Sequence, residues 1–158
     1  MELMLVLALM VAIAAAKCFE NFHPNGMKVN AGSVVLEPGR SLVGHSGALV
    51  GRVVDLKQYP DGRRFIVLDT GMTELMRPAL YNAYHHIQPV HVRPGPAEAV
   101  DVVGPICESG DYFAKDRPLP KVGEGDHLAL LSAGAYGFVM ASNYNTRALP
   151  AEVLVNGN

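Results

Sequence analysis

Val53-Val54-Asp55-Leu56 and Arg64-Phe65-Ile66-Val67-Leu68-Asp69 flank the tripeptide Pro60-Asp61-Gly62. Both runs are rich in β-branched and aromatic residues, and Pro-Asp-Gly supplies the backbone angles of a tight reversal, so residues 53–69 read as a β-hairpin. Working outward, Val34 to Leu36 is a brief apolar strand, Val100 to Val103 is another, His127 to Ser132 a third, and Glu152 to Val155 a last one. Two short helices are predicted between them. Ser41 is a plausible N-cap for Leu42 to Val50, and Pro78 suits the first position of a helix over Ala79 to about Ile87, where a missing N–H costs nothing. Sixteen glycines and eleven prolines in 158 residues agree with many turns. The expectation is one mostly-β unit with a few short helices and no internal repeat.

Composition narrows the function. With 49% apolar and 18% charged residues the chain can bury a core and is not a disordered tail. A net charge of -2 gives no electrostatic case for nucleic acid or an anionic membrane, and the absence of Trp argues against a base-stacking platform. Two cysteines, Cys18 and Cys107, exclude a disulfide framework and a four-cysteine zinc site. His85, His86 and His91 lack an acidic partner at metal-ligand spacing, so no metal site is expected. There is also no Gly-x-Ser-x-Gly elbow for a hydrolase.

Leu3 to Ala16 is an uncharged run of fourteen residues, short of the roughly 20 that span a membrane. It reads as an apolar helix of good helix formers. The alternative is the core of a secretory signal, with Ala14-Ala15-Ala16 as cleavage site, but Glu2 stands where a positive flank belongs.

Four segments carry candidate chemistry. Glu37-Pro38-Gly39-Arg40-Ser41 could bring backbone N–H groups and a guanidinium to an anion, or be a plain turn. Arg77 and Tyr81, four residues apart, share a helical face that could hold a carboxylate, or form an exposed stacked pair. In Gly104-Pro105-Ile106-Cys107-Glu108-Ser109-Gly110-Asp111, neighbouring carboxylates disfavour a thiolate. That suits Cys107 as a proton donor, the other reading being a small buried cysteine in a tight turn. Gly134-Ala135-Tyr136-Gly137 leaves Tyr136 accessible to a flat ligand, and Ser142-Asn143-Tyr144-Asn145 offers polar groups beyond the needs of a plain hairpin tip.

LEPGRSLVG (36–44), VLDTGMTELMRPALYNAYHHI (67–87), VVGPICESGD (102–111), GDHLAL (125–130) and GAYGFVMASNYNTRALPAEVLV (134–155) together resemble the C-terminal portion of diaminopimelate decarboxylase, in that family's order. The resemblance implies a pyridoxal-phosphate enzyme built from an N-terminal (β/α)8 barrel and a C-terminal β domain. It removes one carboxylate from meso-diaminopimelate to give L-lysine. It further implies that Glu37, Pro38, Gly39 and Arg40 meet the cofactor phosphate and that Arg40, Arg77 and Tyr81 hold substrate carboxylate. Glu108 would recognise the distal amino group, and Tyr136 would contact cofactor and substrate. Cys107 would be the proton donor, reaching in from the other subunit of a homodimer.

On this reading residues 1–33 are an apolar helix and loop unlike the family, 34–50 a remnant of the barrel's end, and 51–158 the C-terminal β domain, a sandwich or barrel-like sheet. The barrel is largely absent, and none of Lys17, Lys28, Lys57, Lys115 and Lys121 lies in a recognisable version of the family's cofactor-anchoring motif. The sequence is therefore expected to be a cytoplasmic C-terminal fragment, inactive alone and with apolar surface uncovered. Two alternatives stand beside it: a non-catalytic β module that binds a full-length decarboxylase, and a decarboxylase of ornithine or arginine.

Overall fold

A computed structural model of the chain describes residues 39–156. The expectations for residues 1–33, for the strand Val34–Leu36 and for Glu37 and Pro38 lie outside them. Two compact units divide the chain between Leu42 and Val43. Of the first, only Gly39 to Leu42 are described, and they open the one-turn helix α1, Gly39–Val43.

The second unit is built on a six-stranded sheet. Its strands are β1 (Ala48–Gln58), β2 (Arg64–Leu68), β3 (Ile87–Pro89), β4 (Glu98–Val103), β5 (Tyr112–Leu119) and β6 (His127–Leu131), in spatial order β3-β6-β1-β2-β4-β5. β1 is the organising strand. Ala48 to Arg52 pair antiparallel with β6, Val53 to Gln58 pair antiparallel with β2, and the register slips between Val53 and Asp55. One strand thus serves two ladders, and the irregularity lets the sheet bend between them. The expected hairpin is present: Tyr59 donates to the Arg63 carbonyl at 2.9 Å and Gly62 back to Tyr59 at 3.0 Å, with Gly62 at φ +90°.

Inward-facing residues alternate along the strands and meet in one core. Val53 of β1, Ile66 and Leu68 of β2, Val100 and Val102 of β4, and Leu128 and Leu130 of β6 are buried together with Leu75, Ile87 and Phe113. The mostly-β expectation holds. The outer face of β1 keeps Val50, Val54 and Leu56 exposed, as expected of a sheet whose apolar surface is not fully covered. No helix among the described residues is long and apolar enough to cross a membrane.

Three local expectations are corrected. Ser41 does not cap a helix running to Val50: α1 already begins at Gly39, a single 3-10 turn follows at Gly44–Ser46, and Ala48 onward is drawn into β1 by pairing with β6. The second helix, α2, covers only Arg77–Tyr81. Pro78 sits at its start as expected, but Asn82 adopts a left-handed conformation (φ 52°) and ends it, and Ile87 pairs with Leu130 in β3 instead. The tail Glu152–Val155 forms no strand, and Val153, Leu154 and Val155 are exposed without a pairing neighbour among the described residues. β5 has no counterpart among the strands read from the sequence.

β2 and β4 run parallel, so a long crossover must join them. That crossover carries residues 69–76 and α2 to the edge where the β4–β5 loop emerges. The same region receives the strand-free segment after β6. Its entry is set at Gly134, where a Cβ would stand 2.2 Å from the Val43 carbonyl oxygen and 2.8 Å from the Gly47 nitrogen. Backbone cannot yield as a side chain can, so Gly134→Ala should cost about 1–3 kcal/mol. Gly110→Ala, where nothing lies within 4 Å, should leave thermal unfolding nearly unchanged. Paired melting curves of the two variants check this.

Candidate active site

The β4–β5 loop, residues 104–111, is knotted around one buried carboxylate. Asp111 is only 5% exposed; its Oδ2 accepts the Ile106 N–H at 2.6 Å and its Oδ1 the Met72 N–H, also at 2.6 Å. Its backbone adds two bonds, from Gly104 N–H to the Asp111 carbonyl and from Asp111 N–H to the Glu108 carbonyl, each 3.1 Å. The packing is close enough to require glycine at Gly104, where a Cβ would meet Asp111 Oδ2 at 2.4 Å and the Gly71 Cα at 2.5 Å. Burial pushes the Asp111 carboxyl above the usual range, and the charge of Glu74 adds to this. The two N–H donors and Arg147 pull the other way. In the sequence Asp111 stands out only as a neighbour of the thiol; the fold uses it as the staple of the loop.

The staple buries Ile106 and turns Cys107, Glu108 and Ser109 outward. Cys107 is therefore not the small buried cysteine that the sequence left open. Glu108 also lines an open cavity of about 660 Å³ with Asp101, Tyr112 and Lys115, so one side of its carboxylate has room for a ligand.

The other side of Glu108 is occupied. The Tyr144 hydroxyl donates a short hydrogen bond to Glu108 Oε1. The bond and the negative charge of Glu108 raise the Tyr144 phenol above its ordinary range. Tyr144 is held in turn by a second buried carboxylate. Glu74 accepts the Gly71 N–H at 2.7 Å, the Thr73 hydroxyl at 2.8 Å and the Arg147 Nε at 3.2 Å, while Arg147 Nη2 donates to the Asp69 carbonyl at 2.5 Å. Ser142 N–H donates to the Thr73 carbonyl at 3.0 Å. Bonds at Ser142 and Arg147 thus tie both ends of the segment bearing Tyr144 to the crossover. The polar run 142–145 is conspicuous in the sequence but has no partner there, and nothing local marks Glu74 or Arg147. The only sequence signal for them is the pair of blocks 67–87 and 134–155 in which they stand.

A second group forms at α2. The Arg77 guanidinium lies 5.9 Å from the centroid of the Tyr136 ring, and Tyr136 is half exposed with φ +59°. Arg77 thus meets Tyr136 rather than stacking on Tyr81, which is 62% exposed. No hydrogen bond, ion pair or ring contact among the described residues joins this pair to Cys107 and Glu108. His85 and His86 lie beyond α2, not on a helix: His85 is buried with Nδ1 2.9 Å from the Leu131 carbonyl, and His86 Nδ1 is 3.5 Å from the Tyr84 hydroxyl. Among the described residues no three His, Cys, Asp or Glu gather to hold a metal. Gly39 and Arg40 belong to the other unit, and among the described residues nothing lies within 4 Å of the place a Cβ on Gly39 would take.

The sheet domain thus presents an outward cysteine–glutamate tip and, with no direct contact to it among the described residues, an arginine–tyrosine pair. The chain belongs to the pyridoxal-dependent decarboxylases, matching the family's C-terminal sheet domain over residues 13–134. It is 52% identical over 126 residues to diaminopimelate decarboxylase of Aquifex aeolicus, and 53% identical over 125 residues to that of Pseudomonas aeruginosa. Each match covers 79% of this chain and 30% of the relative. Among solved structures it resembles the diaminopimelate decarboxylase of M. jannaschii in co-complex with L-lysine, with a TM-score of 0.70 and 47% identity over 78% of this chain and 28% of that one. A lysine/ornithine decarboxylase from Vibrio vulnificus shares the fold at 22% identity and a TM-score of 0.67, covering 75% of this chain and 32% of that one. The chain thus spans about 30% of the length of the curated relatives it matches.

Proposed function

We propose that this chain supplies the C-terminal share of a diaminopimelate decarboxylase active site, for the reaction of meso-2,6-diaminopimelate to L-lysine and CO2. The observation that carries the reading is the stapled tip, which holds a thiol and a carboxylate side by side and outward in a domain of this family. Diaminopimelate bears two carboxylates and two ammonium groups. A guanidinium binds the first kind of group and a carboxylate the second, which is the complement that Arg77 and Glu108 offer. Arg40 and Tyr81, each taken by itself, are further candidate carboxylate ligands in this reading.

The residues present fit pyridoxal phosphate, each by itself: Tyr136 exposes an aromatic face, and the open backbone at Gly39 beside Arg40 suits an anion. Glu37, Pro38, Gly39, Arg40 and Tyr136 are the residues proposed to hold it. Bound there, the cofactor supplies an electron sink for the electrons left behind when the carboxylate departs. The lysine that anchors it comes from the part of the relatives' length that this chain does not match. Cys107 Sγ–H donates the proton that takes the place of the lost carboxylate, so substrate yields one CO2 and one L-lysine. Glu108 holds the distal ammonium and fixes which end of the substrate reacts. That no contact among the described residues joins the Cys107–Glu108 tip to the Arg77–Tyr136 pair is compatible with a shared site in a homodimer, each tip serving the partner subunit. A cytoplasmic enzyme with a reduced Cys107 completes the proposal.

The test is substrate choice. With the chain joined after the barrel of a relative, diaminopimelate should be decarboxylated at least tenfold faster, as kcat/KM, than ornithine or arginine. Arg77→Met should erase most of that preference, because only diaminopimelate of the three carries a second carboxylate for that guanidinium and a desolvated charge-assisted bond is worth about 1.5–3 kcal/mol. Equal turnover of the three amino acids would point to the ornithine or arginine reading instead.

A further inference from the structure

We infer that Tyr144 is a positioning residue for Glu108, aiming its carboxylate at the substrate's distal ammonium from a seat fixed by the Arg147–Glu74 ion pair. The inference rests on the reading of Glu108 proposed above. Glu108 sits on an exposed loop tip, and a free glutamate side chain there would sample several rotamers. The Tyr144 hydroxyl occupies Oε1, and no described residue bonds Oε2, which leaves that oxygen for a ligand. A neutral donor suits this task, since it orients the carboxylate without cancelling the charge that an ammonium seeks.

The seat of Tyr144 is unusually well fixed for an exposed loop. Asn145 and Thr146 both adopt left-handed angles (φ 59° and 58°), which a free segment avoids. They are held between Ser142, bonded to Thr73, and Arg147, bonded to Glu74 and Asp69. Glu74 is 7% exposed and satisfied by three further donors, so Arg147 meets a carboxylate that cannot swing away. The chain from crossover to substrate therefore runs Glu74, Arg147, Tyr144, Glu108.

The first arm of the test uses the chain itself. Alkaline titration at the phenolate absorbance band, taken as the difference between wild type and Tyr144→Phe, isolates this phenol from the other tyrosines. It should release its proton at higher pH than exposed tyrosines do. Glu108→Gln, an exposed and structurally mild change, should return it to the ordinary range near 10. Arg147→Met should do so too, with circular dichroism verifying that the sheet is retained. A phenol that titrates ordinarily in wild type, or is indifferent to Glu108→Gln, overturns the inference.

The second arm uses the chain joined to a relative's barrel. Tyr144→Phe should raise KM for diaminopimelate roughly tenfold with kcat within about twofold, the signature of lost substrate positioning rather than lost chemistry. If Glu108→Gln raises KM and Tyr144→Phe does not, the inference fails while the reading of Glu108 stands. If neither does, that reading fails and the inference with it.

Discussion

Asp111→Ala will destabilise the chain by about 2–4 kcal/mol and free the loop that carries Cys107 and Glu108. The carboxylate is the acceptor for the buried N–H of Ile106 and the partly buried N–H of Met72, and removing it leaves both without that partner. Each orphaned donor is worth about 1–3 kcal/mol. The variant regains part of this because a buried carboxylate no longer has to be desolvated, which keeps the total below the plain sum. The sign of the pH dependence follows from burial raising the folded carboxyl above its unfolded value. Such a group adds stability below the unfolded value, and that contribution is lost as pH rises through the folded one. The wild-type advantage over Asp111→Ala should therefore be larger near pH 4 than at neutrality. Urea unfolding at the two pH values measures it, and faster thiol labelling of Cys107 in a Cys18→Ser background reports the loosened loop. A difference under about 0.5 kcal/mol would remove Asp111 from its role as staple.

Cys107→Ala should have the largest effect on turnover and almost none on stability. The side chain is exposed and makes no packing contact with the core, so its loss opens no cavity. The proton that it is proposed to deliver must reach carbon in the step after CO2 leaves. Removing a positioned general acid typically costs 10²–10⁴ in rate. In the barrel-joined protein we expect a loss in that range in kcat, with KM for diaminopimelate little changed, because the proposed ligands of the substrate's charged groups, Arg77 and Glu108, are left in place. Stopped assays for lysine on matched preparations, with melting temperatures in parallel, measure both quantities. A loss under about tenfold would assign the proton to another donor.

How far these residues are legible in the sequence depends on whether their partners are local. The hairpin around Pro60-Asp61-Gly62 is readable because turn chemistry and strand pattern sit within seventeen residues, 53–69. β5 is not, because Lys115, Asp116 and Pro118 interrupt any apolar alternation. Asp116 even takes φ +47°, and only the ladder to β4 makes the segment a strand. The helix after Pro78 has a legible start and a hidden end, since the left-handed turn at Asn82 and the pairing of Ile87 with β6 are tertiary effects. The tail fails for the opposite reason: its apolar residues have strand character but pair with no neighbour among the described residues.

The same division runs through the site. Cys107, Glu108, Arg77 and Tyr136 stand in recognisable blocks, so the chemistry of their side chains can be weighed from sequence alone. The residues that aim them cannot be found that way. Arg147 meets Glu74 across 73 positions, and Tyr144 meets Glu108 across 36. Helical spacing pairs Arg77 with Tyr81, whereas the fold sets it over Tyr136, 59 residues on, because α2 is one turn long and the segment after β6 returns beside it. Spacing arguments see one element at a time.

The measurement that bears most directly on the account is lysine release from meso-diaminopimelate, with added pyridoxal phosphate, by this chain alone and by the same chain joined after a relative's barrel. The account predicts lysine from the joined protein and none from soluble, folded chain alone. Lysine from the chain alone would contradict it and require one of its own lysines as cofactor anchor. A joined protein that is soluble, binds the cofactor and releases no lysine would contradict the assignment of the residues themselves.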